Sequence, residues 1–168
     1  KDIETACEEA QQGQVCAPAN INSPTQVVIA GNSEAVGRAS ELLKTAGAKR
    51  VVKLNVSAPF HCALMLPAQE RLAFDLESVS FHDLSVPLVT NVDAAPNKAG
   101  NVARESVVRQ VSAPVRWVES MQMLMSHGVD TFVEAGPGKV LSGLMRQINR
   151  DVKMLNVEDA ASLQQLSN

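Results

Sequence analysis

The sequence predicts an α/β chain in two parts, and three features predict it. Segments rich in β-branched and apolar residues alternate with segments of helical periodicity along all 168 residues. Residues up to Val56 run helix–strand–strand–helix–strand, and beyond Ser57 the pattern changes to longer helices. Val86–Val92 is almost wholly apolar, the mark of a strand covered on both faces.

Taken in order, residues 2–12 read as a helix with Ile3, Ala6, Cys7 and Ala10 on one face, closed by Gly13. Val15–Ala19 and Gln26–Ala30 read as strands, joined through the turn-rich run Asn20-Ile21-Asn22-Ser23-Pro24. Ser33 is the expected N-cap of a second helix, whose apolar face is Val36, Ala39, Leu42, Leu43 and Ala46 and which Gly47 ends. Val51–Val56 is the expected third strand. With one more strand preceding it, this order becomes two βαβ units, the split plan of a ferredoxin-like small subdomain. Lys1-Asp2-Ile3-Glu4 has no initiator Met and enters a helical pattern at once, so the expectation is a missing first strand and a missing N-terminal part.

In the second part a helix is expected from Ala63 to Ser78, with Leu66, Leu72, Leu76 and Val79 inward. Asp93–Gly100 reads as a loop, followed by helices near 101–111 and 114–127, the second led by Pro114. Thr131–Glu134 is an expected strand, Gly136-Pro137-Gly138 a sharp turn and Lys139–Asn149 a helix. Val152–Val157 and Ala160–Leu166 supply a last strand and helix. The whole implies a mostly parallel sheet covered on both faces, with two subdomains, 1–56 and 57–168.

Composition narrows the classes of function. A net charge of −3, 3% aromatic residues and no Tyr offer neither attraction to a phosphate backbone nor a stacking platform, so nucleic acid is not an expected partner. No apolar run approaches the ~20 residues of a membrane span, and no membrane association is expected. Cys7, Cys16 and Cys62 form neither a CxxC nor a metal-ligand spacing, which points to a reducing compartment, the cytoplasm, and to no metal site.

Among residues that carry chemistry, His61 in LNVSAPFHCALM (54–65) stands out. It follows an apolar run and a Pro-containing break at the seam of the two parts, where clefts form. Imidazole is the side chain whose charge changes nearest neutral pH, so a proton shuttle is one reading. A hydrogen-bonded histidine at a helix start, without chemistry, is the other. His82 and His127 read as surface or helix-end residues. Cys62 is adjacent to His61 and points away from it, Pro59 breaks any helical face shared with Ser57, and no GxSxG elbow exists, so no nucleophile emerges. Gly136-Pro137-Gly138-Lys139 reads as a structural turn rather than an anion site. Lys49 and Arg50 could meet phosphate or stay solvated, and Asn20 and Asn22 could be turn formers only.

The motifs NSPTQVVIAG (22–31), NVSAPFHCALM (55–65), TNVDA (90–94), VRQVSAPVRW (108–117) and EAGPGKVLSGL (134–144), in this order and spacing, resemble the malonyl-CoA:acyl carrier protein transacylase family of bacterial fatty-acid biosynthesis. The resemblance implies an α/β-hydrolase-like large subdomain with a ferredoxin-like one inserted, of which residues 57–168 would be the C-terminal part and 1–56 most of the insert. It implies a Ser–His ping-pong acyltransferase that uses malonyl-CoA and the acyl carrier protein, with the coenzyme A thioester as substrate and no cofactor. His61 matches the family's acid/base, and Gln110 the position whose main-chain carbonyl holds that ring. Phe60 would shape the acyl pocket toward malonyl. Asn91, Asn20, Asn22 and Arg50 are the further substrate-binding candidates, and Lys49, Arg50 and Lys139 would face the acidic carrier protein.

The family's GQGSQ segment, its GHSLGE elbow with the nucleophilic serine, and its carboxylate-binding arginine have no match here. The expectation is therefore a fragment, inactive alone, whose partner is the missing N-terminal half of the same enzyme. Two alternatives stand beside it: an acyltransferase domain of a polyketide or multifunctional fatty-acid synthase, and a non-catalytic module that binds a carrier protein.

Overall fold

A computed structural model describes residues 3–166. Helix α1 (Ile3–Gln11) buries Ala6, Cys7 and Ala10, positions that share one face at helical spacing. Strands β1 (Cys16–Ser23) and β2 (Gln26–Gly31) form an antiparallel hairpin whose register runs from Cys16↔Gly31 to Ser23↔Gln26. Gly31 closes it at φ +155°, where a Cβ would stand 2.0 Å from the Val15 carbonyl oxygen, so no larger residue fits. Helix α2 (Ser33–Thr45) sets Ala35 and Ala39 against Cys7, Ala10 and Cys16, with Ile3, Ile29, Val36 and Leu42 packed around them. It ends in a Schellman pair across Gly47: the Gly47 N–H donates to Lys44 and the Ala48 N–H to Leu43. Arg38 on α2 donates to the Ala10 and Gln11 carbonyls, which caps the C-terminus of α1 with a positive charge.

Three expectations in this part are corrected. Asn20 to Ser23 belong to β1 rather than to a turn, because their neighbours pull them into regular structure. Asn20 forms a parallel bridge with Val115, and Ser23 Oγ donates to Gln147 at 2.9 Å. The N-cap of α2 is Asn32, not Ser33, and its Oδ1 accepts from the Val15 N–H instead of from the helix. Residues 51–56 are not a strand: they find no ladder partner among the described residues, and Val52, Leu54 and Val56 are exposed. The expected first helix began at Asp2, which lies outside the described residues.

The second part starts with a 3-10 turn (Ala63–Met65), α3 (Leu66–Asp75) and a second 3-10 turn (Leu76–Ser78). Leu72 and Leu76 are half-buried as expected, while Leu66 and Val79 are exposed. The expected strand Val86–Val92 is reduced to β3 (Leu88–Val89), paired antiparallel with β4 (Pro96–Asn97), and Val86 is 68% exposed. β-Branched composition favours a strand only where a ladder partner exists. Helix α4 (Gly100–Arg109) follows, and α5 (Trp117–Ser126) begins three residues after Pro114 rather than around it. Val115, just after Pro114, exchanges backbone hydrogen bonds with β1: Ile21 N donates to Val115 and Val115 N to Ala19. Strand β5 (Thr131–Ala135) and β6 (Lys153–Val157) are parallel, crossed over by α6 (Val140–Ile148), and α7 (Ala160–Leu166) closes the described chain. Instead of one broad parallel sheet, the described residues form three two-stranded sheets, of which only β5–β6 is parallel.

The accessible surface of 10695 Å² exceeds the roughly 8,000 Å² that size scaling gives for a compact 17.9 kDa monomer. Among the described residues, the bulkiest fully buried side chain is Met145, followed by cysteines and serines. Val133, Val140, Leu141, Phe60 and Phe74 are all at least two-fifths exposed.

Candidate active site

The site is built from two segments, residues 59–62 and 110–113. Pro59 and the buried Cys62, whose Sγ donates to the Pro59 carbonyl at 3.2 Å, close a tight loop. Within it His61 adopts φ 61°, a left-handed conformation that costs a residue with a Cβ about 1–3 kcal/mol and recurs at functional positions. The half-buried ring points its Nδ1 at two main-chain carbonyls, Gln110 at 3.0 Å and Ala113 at 3.2 Å. Carbonyl oxygens only accept, so these partners assign the proton to Nδ1. The neutral ring then keeps a bare lone pair on Nε2, the arrangement of a general base.

Both carbonyls lie where α4 ends. Gln110 is the C-cap of α4, whose last carbonyls have no intrahelical donor. Ala113 precedes Pro114, and a residue before proline is held out of the helical region, which frees its carbonyl as well.

The other candidates fall at graded distances from this centre. Asn91 accepts from the Arg116 N–H through its carbonyl, and its side-chain amide lies 3.5 Å from Gln110 Oε1. Asn20 reaches the seam through its bridge to Val115, two residues beyond Ala113, and half-buried Asn22 follows on the same strand. Phe60 is 49% exposed beside His61. Arg50 and Lys49 are exposed at the end of the first part, and nothing ties them to His61. His82 and His127 are exposed, and the His127 ring bonds the Met123 carbonyl of its own helix.

The turn at Gly136–Lys139 carries its own anion. Glu158 accepts from the Gly138 N–H at 3.3 Å and lies 3.8 Å from Lys139 Nζ. Glu134 takes the next amides, Leu141 at 2.9 Å and Ser142 at 2.7 Å, together with the Ser142 hydroxyl and the Asn156 amide. The Ser142 hydroxyl above all holds this carboxyl below the usual carboxylate range. No cluster of three or more potential metal ligands occurs among the described residues, and no helix there is long and apolar enough to cross a membrane.

Sequence reasoning missed the Ala113 carbonyl, because a main-chain acceptor has no side-chain signature. A signal does exist: VSAP occurs at 56–59, leading to His61, and again at 111–114, around Ala113. It also passed over Asp93, read there only as the start of a loop and as part of the TNVDA motif. Asp93 accepts from Thr90, Ser106 and Arg109 and stays below the usual carboxylate range, chiefly through Ser106.

The acyl transferase domain family matches residues 2–167. The chain belongs to that family. In particular it is 50% identical over 146 residues to the malonyl CoA-acyl carrier protein transacylase of Escherichia coli strain K12, covering 87% of this chain and 47% of that one. The Bacillus subtilis strain 168 transacylase is 42% identical over 154 residues, 92% of this chain and 49% of its own. Among solved structures, an acyl carrier protein S-malonyltransferase from Vibrio cholerae superposes with a TM-score of 0.94 at 44% identity, covering 98% of this chain and 54% of that one. A malonyl-transacylase solved in complex with a type II polyketide synthase acyl-carrier protein gives 0.93 at 45% identity, covering 99% and 54%. The chain thus spans about half the length of the curated relatives it matches.

Proposed function

We propose that this chain carries the acid/base half of a malonyl transferase, which moves malonyl from coenzyme A to the phosphopantetheine thiol of an acyl carrier protein. The observation that supports it best is the pair of carbonyls on His61 Nδ1, since they leave Nε2 bare and aimed away from the ring's anchor. In the first half-reaction Nε2 takes the proton of a serine hydroxyl as its oxygen attacks the malonyl thioester. The C–S bond breaks, and the proton passes to the leaving thiolate of coenzyme A. In the second half Nε2 takes the proton of the carrier thiol, the thiol sulfur attacks the malonyl ester, the ester C–O bond breaks, and Nε2 returns the proton to the departing serine oxygen. The thioester supplies an already activated acyl group, so the cycle as proposed needs no metal or cofactor. The Gln110 carbonyl, with Ala113 beside it, does what the aspartate of a Ser-His-Asp triad does.

Phe60 borders the acyl pocket in this reading, Asn91, Asn20 and Asn22 line its seam, and Arg50 with Lys49 and Lys139 offers positive charge to the acidic carrier. Residues 1–56 act as a ferredoxin-like small subdomain and 57–168 as the C-terminal part of a hydrolase-like large one. The nucleophilic serine comes from polypeptide outside these residues. The surplus accessible surface, and the absence of any buried Leu, Ile, Val or Phe among the described residues, support a further segment that completes the core.

One experiment tests the reading as a whole. The intact polypeptide that contains these residues is incubated with malonyl-CoA, digested and mapped by mass spectrometry, and its transfer to acyl carrier protein is followed. The expected result is a malonyl ester on a serine outside the 168 residues and no transfer by the 168-residue chain alone. Transfer at ordinary rate by that chain alone overturns the division of labour.

A further inference from the structure

Two carbonyls fix one ring nitrogen of His61, and both belong to the short connection between α4 and α5. Val115 of that connection bonds Ala19 and Ile21 of β1 and Ser112 donates to Gln69, while one loop, residues 90–93, grips it at both ends. At the near end the Asp93 carboxylate accepts from Ser106 Oγ at 2.5 Å and from Arg109 Nη2 at 2.7 Å. Thr90 Oγ1 donates to the same carboxylate at 2.9 Å and braces the loop on itself. Ser106 is 1% exposed, and its carbonyl accepts from the Gln110 N–H, while the Arg109 carbonyl accepts from the Ala113 N–H. The two residues that Asp93 grips are thus the two whose carbonyls receive the amides of Gln110 and Ala113.

At the far end Arg116 returns to the same loop. Its backbone N–H donates to Asn91 at 3.0 Å, and its guanidinium donates to the Val92 and Asp93 carbonyls at 3.2 Å each. Glu119 pairs with that guanidinium and orients it. Residues 110–115 are therefore a bracket whose two feet stand on residues 91–93. Moving Asp93 off Ser106 frees the last turn of α4 to rotate, and a rotation displaces both carbonyls together.

We propose that Asp93 is a positioning residue for His61: through Ser106 and Arg109 it sets the Gln110 and Ala113 carbonyls that keep the imidazole proton on Nδ1. The proposal rests on the reading of His61 as the acid/base. Asp93 does not touch the ring. Where a Ser-His-Asp triad applies its carboxylate directly to the imidazole, the carboxylate here acts through the end of a helix.

The test reads where the ring proton sits. Nitrogen-15 spectra of the full chain in mildly alkaline buffer report the ratio of the Nδ1–H and Nε2–H forms of His61. The wild type is expected to show the proton on Nδ1. Asp93→Asn and Ser106→Ala are each expected to shift the ratio toward Nε2–H by roughly tenfold, about 1.4 kcal/mol, with the spectrum still that of a folded chain. Ser106→Thr, which keeps the hydroxyl, is expected to restore the wild-type ratio. A merely structural Asp93 predicts lower stability and an unchanged ratio, so folded Asp93→Asn and Ser106→Ala variants with the wild-type ratio overturn the proposal. Should Asp93→Asn fail to fold, the comparison of Ser106→Ala with Ser106→Thr decides alone. A wild type with its proton on Nε2 instead overturns the acid/base reading itself and the positioning role with it.

Discussion

The ring of His61 donates from Nδ1 to the main-chain carbonyl of Gln110 at 3.0 Å, across 49 residues of sequence. The contact uses the backbone of one residue and the side chain of the other, so substitutions at the two positions have unequal consequences. With His61 as the proposed acid/base, His61→Ala is expected to lower kcat of malonyl transfer by the intact polypeptide about 10²–10⁴-fold. Gln110→Ala keeps the carbonyl and loses only the long contact with Asn91, so its loss is expected to stay within roughly tenfold, about 1.4 kcal/mol. Steady-state malonyl transfer by the two variants checks this. Equal losses would mean that the Gln110 side chain itself takes part.

Phe60 stands beside His61 with half its surface exposed, and in the proposed function it borders the acyl pocket. Its bulk is expected to crowd an α-methyl branch, a discrimination worth only ~1–3 kcal/mol. Phe60→Ala is expected to narrow the malonyl over methylmalonyl preference in kcat/KM without abolishing malonyl transfer. A preference that stays fixed removes Phe60 from the pocket.

Gly100 opens α4 against the backbone of the segment before it. A Cβ there would stand 2.4 Å from the Phe81 carbonyl oxygen and 2.6 Å from that of His82. Neither oxygen can rotate away, and the Gly100 N–H is fixed on Asp83 Oδ1 at 2.9 Å. Gly100→Ala is expected to destabilise by about 1–3 kcal/mol, read as a lower urea midpoint at unchanged slope. Gly37→Ala, at an open position on α2, is the control and is expected to be neutral or slightly stabilising.

These sites show what local pattern reveals and what it leaves out. The end of α2 was legible because Gly47 and the apolar periodicity agree, and the hairpin was legible from two β-rich runs. Asn20 to Ser23 were not, since turn-forming side chains there yield to the bridge to Val115 and the bond to Gln147. Val51–Val56 and Val86–Val92 have strand composition but lack a long ladder among the described residues, and a strand is a property of a pair. His61 was visible as an ionisable side chain at a junction. Its anchors were not, because Gln110 and Ala113 act through carbonyls that every residue possesses, and Gln110 entered only through family resemblance. Asp93 was invisible for a related reason: its partners, Ser106 and Arg109, are distant in sequence and ordinary in type.

Cys7 is buried against Cys16, and burial above all pushes its thiol up to about 12. The unfolded thiol ionises near ~8.5, so between those values the folded chain keeps a proton that the unfolded chain has lost. Stability then falls as pH rises through that window. Melting temperature is expected to drop more steeply above pH ~8.5 for the wild type than for Cys7→Ala. A thiol-reactive disulfide reagent is expected to leave Cys7 unmodified until urea unfolds the chain. Labelling of the native protein at the rate of an exposed thiol contradicts the burial.

Glu134 is 9% exposed and accepts from the Leu141 and Ser142 amides, the Ser142 hydroxyl and the Asn156 side chain. A negative charge at the start of α6 also meets the positive end of the helix dipole. These bonds, Ser142 first, lower its folded-state ionisation below the usual carboxylate range. Its contribution is therefore fully present above the unfolded value near ~4.3 and disappears as pH falls through the lower folded value. Glu134→Gln keeps the shape but loses the charge and turns a donor toward donors. It is expected to lower the urea midpoint at neutral pH and to flatten the acid limb of stability against pH. The difference between wild type and variant should shrink on acidification, as protonation removes from the wild type what the substitution removes outright. A difference that is constant from neutral pH to the acid limb would show that Glu134 acts by packing and not by charge.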